Sequence, residues 1–233
     1  MTALPIPSHG ATDSSAFYDR AYHAQRHRHL IADDEYFWAR SEASANFYFT
    51  DAEQRSAILE YGCGIGQGIA TLPNAFGWDP SEEAREHARA RGVRVFERID
   101  EIPRNRWDIV FCRHVLEHIE DPADALRTMR ELVANTGFLY LILPKEPHRP
   151  TDLQPDHNQH LYCWNYRTIG NLLHRVGFEP YFARDFHVLG YRVLLPVRRA
   201  LGKRCYAMAC RFVGVAMRNG ELVVKARRRL RQP

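Results

Sequence analysis

The chain has 233 residues, 45% of them hydrophobic and 26% charged, with a formal net charge of +4, which is enough to bury a full core in one unit. No run approaches the roughly 18 apolar residues of a membrane span, and residues 1–10 lack the basic-then-apolar order of a secretory signal. The five cysteines, Cys63, Cys112, Cys163, Cys205 and Cys210, contain no C-x-x-C pair, which points to reduced thiols in a cytoplasmic protein.

Residues 1–51 read as a lead-in and a helical cap, rich in aromatics and histidines, with helices over 17–22 and 34–47. Tyr18 and Tyr22 would share a helix face, packed on the domain. His23, His27 and His29 lie among Arg26 and Arg28 without a cysteine or carboxylate at ligand spacing, so a solvated basic helix end is the reading rather than a metal site. Residues 58–68 are a short apolar run ending at Glu60, then glycines at 62, 64, 66 and 68. This fits a buried strand and a tight turn that lets a ligand approach bare backbone. A dinucleotide fingerprint is excluded, because counting G-x-G-x-x-G from Gly62 or Gly64 puts Gln67 or Ile69 at the third glycine.

A second apolar run over 75–78 ends in Asp79, nineteen residues past Glu60. In a βαβ unit that distance puts Asp79 at the carboxyl end of the neighbouring strand, where a carboxylate can accept from both hydroxyls of a ribose. A helix follows over 81–91, capped by Ser81 and stopped by Gly92. Residues 107–122 read as a strand, a polar step and V-L-E-H-x-x-D-P, and 137–144 as a further buried strand. Prolines mark 145–156 as a loop. Ile169, Leu172, Leu173 and Val176 then recur at helical spacing up to Gly177.

Charge is unevenly distributed. From residue 192 onward there are twelve Lys or Arg and one acid, Glu221, a net of +11 against −7 for the rest. Leu194, Val197, Leu201, Cys205, Met208, Phe212 and Val215 recur at three- and four-residue steps, so an amphipathic helix is expected over 193–217, with Pro196 near its start and a last strand over 221–225. Such a helix can wall a pocket, meet another subunit, rest on an anionic membrane, or simply pack on its own domain.

The E-x-G-x-G-x-G loop from Glu60, Asp79 after the second strand, and D-x-V followed by V-L-E-H-x-x-D-P resemble class I S-adenosylmethionine-dependent methyltransferases. The closest pattern is that of the ubiquinone-type and related small-molecule enzymes. The resemblance implies an α/β, Rossmann-like sheet of seven strands, mostly parallel with an antiparallel last strand, helices on both faces and an N-terminal helical cap. The methyltransferase domain would cover 52–233, with a basic helical insertion at about 190–218.

The cofactor implied is S-adenosylmethionine, with Glu60, Gly62, Gly64 and Gly66 near its methionine portion, Asp79 on the ribose, and Cys112 and Arg113 at the fourth strand's end. Glu97 and Asp100 both remain candidates for the adenine contact. Of the histidines, His160 matches the position of a candidate base in the resembling subgroup and His114 is the second candidate, while His118 is expected to pack locally. No metal is expected; the competing idea is a His157/His160 pair, with only Asp156 nearby. The function implied is methyl transfer to a small-molecule acceptor, oxygen favoured, with an anionic acceptor suited to the basic helix. Alternatives are a macromolecular acceptor or a binding module without turnover. Nucleic acid is disfavoured, because Tyr206 and Phe212 alone do not make a stacking platform. Peripheral membrane contact and the oligomeric state stay open.

Overall fold

The computed structural model describes residues 27–146 and 158–229; the expected helix over 17–22, with Tyr18 and Tyr22, and also His23, Asp156 and His157 lie outside the described residues. A short helix α1 (Arg28–Ala32) leads into α2 (Asp34–Tyr48), which Asp33 caps by accepting from the Tyr36 N–H at 2.9 Å. The later elements are β1 (Ile58–Tyr61), β2 (Ala75–Trp78), α3 (Glu82–Ala90), β3 (Arg94–Val95), β4 (Trp107–Arg113), α4 (Pro122–Leu132) and β5 (Val133–Pro144). They end with α5 (Tyr166–Arg175), β6 (Phe178–His187), α6 (Leu195–Ala216) and β7 (Gly220–Arg228). Ser81 caps α3 as its sequence predicts, its hydroxyl accepting from the Ala84 N–H at 3.3 Å.

The seven strands form one sheet in the order β3-β2-β1-β4-β5-β7-β6. β1 to β5 pair in parallel, and β7 runs antiparallel between β5 and β6, so the last strand alone opposes the other six. Chain order climbs outward from β1 to β3 on one side and from β4 to β5 on the other, before β7 and β6 close that edge. The switch point between them is where sheets of this type bind ligands, beyond the carboxyl ends of the strands.

Side chains of β4 alternate between two cores, Ile109 and Phe111 on one face and Val110 and Cys112 on the other. Ala43 and Tyr48 of α2, Ala88 of α3, and Tyr206 and Cys210 of α6 cover the first face. Leu126 and Met129 of α4 with Ile169 and Leu173 of α5 cover the second.

The expected βαβ unit between Glu60 and Asp79 is corrected by the structure. Residues 62–74 cross from β1 to β2 as successive turns without a helix, with the Gly66 N–H bonded to the Cys63 carbonyl at 2.9 Å and the Leu72 N–H to the Ile69 carbonyl at 2.8 Å. Four glycines and Pro73 explain this, since each glycine costs a helix about 1 kcal/mol relative to alanine and proline about 3. The turns still bury Ile65 and Ile69. Asp79 arrives at the end of β2 as predicted, by a shorter path.

α6 also departs from a straight helix, because Gly202 sits at φ 82°, ψ 178° and kinks it. Three of its basic residues are already paired with α2. Arg198 and Lys203 meet Glu42 at 2.8 and 2.6 Å, and Arg199 meets Glu35. Those pairs fix α6 against α2 and withdraw most of the charge that the sequence left for capturing an acceptor.

Candidate active site

At the end of β1 the backbone turns left-handed at Gly62 (φ 75°), where a Cβ would lie 2.4 Å from Cγ2 of Val115, so only glycine fits. Asp79 ties this loop to the start of α3: its Oδ2 accepts from the Gly64 N–H at 2.8 Å and its Oδ1 from the Ser81 N–H at 3.0 Å. Glu60 is 4% exposed, and its Oε2 accepts no hydrogen bond among the described residues. Its carboxylate occupies the space a side chain at Gly68 would need, with Oε1 2.2 Å from the position of a Cβ there. Burial pushes the Glu60 carboxyl up to about 8; Arg113 and Arg40 oppose that rise and Asp79 adds to it.

Across the switch point, β4 ends in Cys112 and Arg113. Cys112 is fully buried, and burial pushes its thiol well above the ordinary range, as it does for Cys63, which suits packing rather than nucleophilic chemistry. Arg113 donates to Ser44 Oγ at 3.3 Å and lies 5.5 Å over the Tyr48 ring. His114 has a left-handed backbone (φ 53°), which a histidine adopts only when its surroundings hold it there. Its N–H bonds to the Ile142 carbonyl at 2.9 Å, its Nε2 lies 2.8 Å from Glu221 Oε1 and its Nδ1 3.5 Å from Glu117 Oε1. Glu221 Oε2 accepts from the Tyr48 hydroxyl at 2.5 Å. Burial alone would lower the His114 pKa, but Glu117 and Glu221 outweigh it and raise it. Against the cost of its own burial, Glu221 is held at about 2, chiefly by His114.

His118 stands in a 3₁₀ turn (Leu116–His118) ahead of α4. The Glu117 carbonyl accepts from the Leu161 and Tyr162 N–H groups at 2.8 and 3.3 Å, which pins the segment carrying His160 against the end of β4. The His160 ring meets His118 edge-on at 4.7 Å, its Nδ1 pairs with Glu146, and Glu146 Oε2 accepts from the Cys163 thiol at 2.9 Å. Glu117 is fully buried, and neither carboxylate oxygen accepts a hydrogen bond of normal geometry from the described residues. Donor atoms of Glu117, His118 and His160 all lie within 4.8 Å of one another, so these are the residues that could share a divalent ion.

Both predicted histidines therefore border Glu117, a residue sequence reasoning quoted within a motif and gave no role. Arg40 was also missed. It lies half-buried on α2, stacked 3.7 Å over the Tyr191 ring, with its buried Nη1 unpartnered among the described residues and close enough to bias Glu60. A lone arginine beside the small buried residues Ser41 and Ser44 was the available signal. Of the two adenine candidates, Glu97 pairs with Arg85 and Arg89, and Asp100 with Arg98 on the surface.

A parallel sheet with a glycine loop, a buried acid at the end of β1 and a second at the end of β2 defines the S-adenosylmethionine-dependent methyltransferase class. A methyltransferase-domain profile matches residues 22–181, and the chain belongs to that family, whose methyl donor is S-adenosylmethionine. A ubiquinone biosynthesis O-methyltransferase of Yersinia pestis (strain Pestoides F) is 31% identical over 98 residues, 36% of this chain and 40% of that protein. The match thus spans about two fifths of that relative's length. Magnesium protoporphyrin IX methyltransferase from Synechocystis PCC 6803, solved with bound S-adenosylmethionine, superimposes with a TM-score of 0.59 at 14% identity, covering 94% of this chain and all of that one. A Haemonchus contortus N-methyltransferase in complex with phosphomonomethylethanolamine and S-adenosylhomocysteine gives 0.54 at 16%, covering 83% and 53%.

The residues present fit the cofactor. Its amino-acid end carries an ammonium and a carboxylate, and the buried atoms left unpartnered here, Glu60 Oε2 and Arg40 Nη1, are of the complementary kinds.

Proposed function

We propose that the protein transfers the methyl group of S-adenosylmethionine to an oxygen of a small-molecule acceptor, with His160 taking the acceptor's proton. The observation that carries this is the seating of His160 beside Glu117 at the carboxyl edge of β4, backed by Glu146. When bound, the cofactor supplies an activated methyl group on a sulfonium, so the protein has mainly to hold two reactants in line. Glu60, Gly62, Gly64 and Gly66, with Arg40, would hold its methionine portion, Asp79 its ribose, and Cys112 and Arg113 would border it.

As the oxygen–carbon bond forms and the sulfur–carbon bond breaks, a hydroxyl acceptor must lose its proton. Glu146 on Nδ1 of His160 fixes the tautomer whose Nε2 accepts. His114 is less suited, because both its nitrogens face carboxylates, which raise its pKa and favour its charged form. The 31% identity to a ubiquinone biosynthesis O-methyltransferase supports oxygen as the acceptor atom.

Incubation with methyl-labelled S-adenosylmethionine and an extract of the source cells tests this. Base-resistant label in a small-molecule ether is the expected result. Label in protein or RNA would point to a macromolecular acceptor, and cofactor binding without any labelled product to a binding module. In a companion measurement, Asp79→Asn is expected to weaken both the cofactor and its demethylated product roughly tenfold to a hundredfold by calorimetry, as loss of a charged acceptor predicts. Unchanged affinity would remove Asp79 from the ribose.

A further inference from the structure

We propose that α6 docks the protein on an anionic lipid surface. Beyond the Gly202 kink, α6 carries two apolar faces. Tyr206, Cys210 and Gly214 are buried against the domain, so closely that a Cβ on Gly214 would lie 2.3 Å from the Val188 backbone nitrogen. On the opposite face Cys205, Met208, Phe212 and Val215 follow in three- and four-residue steps and are all exposed, Met208 by 71% and Phe212 by 75%. A helix anchored on one side needs no second apolar stripe for its own stability, and leaving one in water is unfavourable.

The charge beside the stripe selects the occupant. Arg204 flanks it, Arg218 closes the helix and Arg192 precedes it, all exposed, and residues 192–220 contain no acid. Two copies meeting through this face would bring like charges together. An anionic bilayer instead offers acyl chains to Met208 and Phe212 and lipid phosphates to the arginines. No helix among the described residues is long and apolar enough to cross a membrane, so the contact would lie in the interface. The buried side of α6 leads toward the site: the Tyr206 hydroxyl donates to the Tyr191 carbonyl at 2.8 Å, and the Tyr191 ring lies beneath Arg40.

Sedimentation with vesicles of phosphatidylcholine alone, and of phosphatidylcholine mixed with phosphatidylglycerol, tests the proposal independently of any methyl transfer. The wild type is expected to bind the mixed vesicles, less tightly at high salt. Met208→Ser with Phe212→Ser is expected to weaken binding at least about tenfold, and Arg204→Gln with Arg218→Gln by about fivefold per arginine. Circular dichroism and unchanged melting of these surface variants would show that they fold. Absence of wild-type binding to the mixed vesicles, or binding indifferent to the Met208 and Phe212 changes, would overturn the idea. So would a dimer in light scattering that Phe212→Asp splits, because the stripe would then belong to a second copy.

Discussion

Replacing His160 by alanine is expected to lower kcat on a hydroxyl acceptor by roughly 10²–10⁴, the usual worth of a placed base, while cofactor affinity stays nearly unchanged. The split follows from position. His160 belongs to the segment pinned by the Glu117 carbonyl, whereas Glu60 lies on β1 and Gly64 and Asp79 in the turns just past β1 and β2, across the switch point. His160→Gln keeps a polar group opposite Glu146 but cannot accept a proton at neutral pH, so it should fall nearly as far as alanine. Equal losses in kcat and in melting temperature for alanine, with full activity for glutamine, would assign His160 to packing. His114→Gln should behave differently, costing stability through the loss of contact with Glu221 and Glu117, and moderately affecting turnover.

The centre of the sheet was legible in the sequence because β1, β4 and β5 are buried on both faces over most of their length and therefore read as apolar runs. The stretches at 58–61, 75–78 and 107–113 carry a candidate site residue at or beside their ends, namely Glu60, Asp79 and Arg113. The missing crossover helix was not legible from spacing alone, since residue separation constrains reach and says nothing of conformation. Only the local density of glycine and proline could have warned of it. His114, His118 and His160 were visible as titratable residues near strand ends. Glu117 was not, because a carboxylate becomes informative only when its burial is known. The basic character of residues 192–218 was plain, yet its partition was not. Arg198, Arg199 and Lys203 face acids of α2 more than 150 residues earlier, a pairing no local pattern encodes.

Glu60→Gln is expected to make the protein more stable and a poorer cofactor binder at once. A glutamate in the unfolded chain titrates near 4.5, whereas burial in the fold pushes Glu60 up to about 8. Between those values the unfolded chain has released a proton that the folded one retains, so folding stability attributable to this group falls as pH rises from 4.5 toward 8. An amide of the same shape never ionises and escapes that loss, which amounts to roughly 3 kcal/mol at pH 7. Only Glu221 of the His114–Glu221 pair runs the other way. Held at about 2, it contributes stability that is lost as pH falls from 4.5 toward that value, whereas His114, with its raised pKa, loses its contribution as pH rises above 6.5, in the same sense as Glu60. Melting curves of wild type and Glu60→Gln should therefore coincide near pH 4 and separate as pH rises, the variant melting higher. Cofactor affinity should fall by roughly tenfold to a hundredfold, because the cofactor's ammonium loses its charged partner. In the wild type the same ammonium draws Glu60 into its ionised form, so binding near pH 7 should release a proton, seen in calorimetry as a heat that scales with the ionisation enthalpy of the buffer. Coincident melting at pH 8, with unaltered affinity and no proton release, would place the Glu60 carboxylate outside the cofactor site and leave Gly68 merely making room for it.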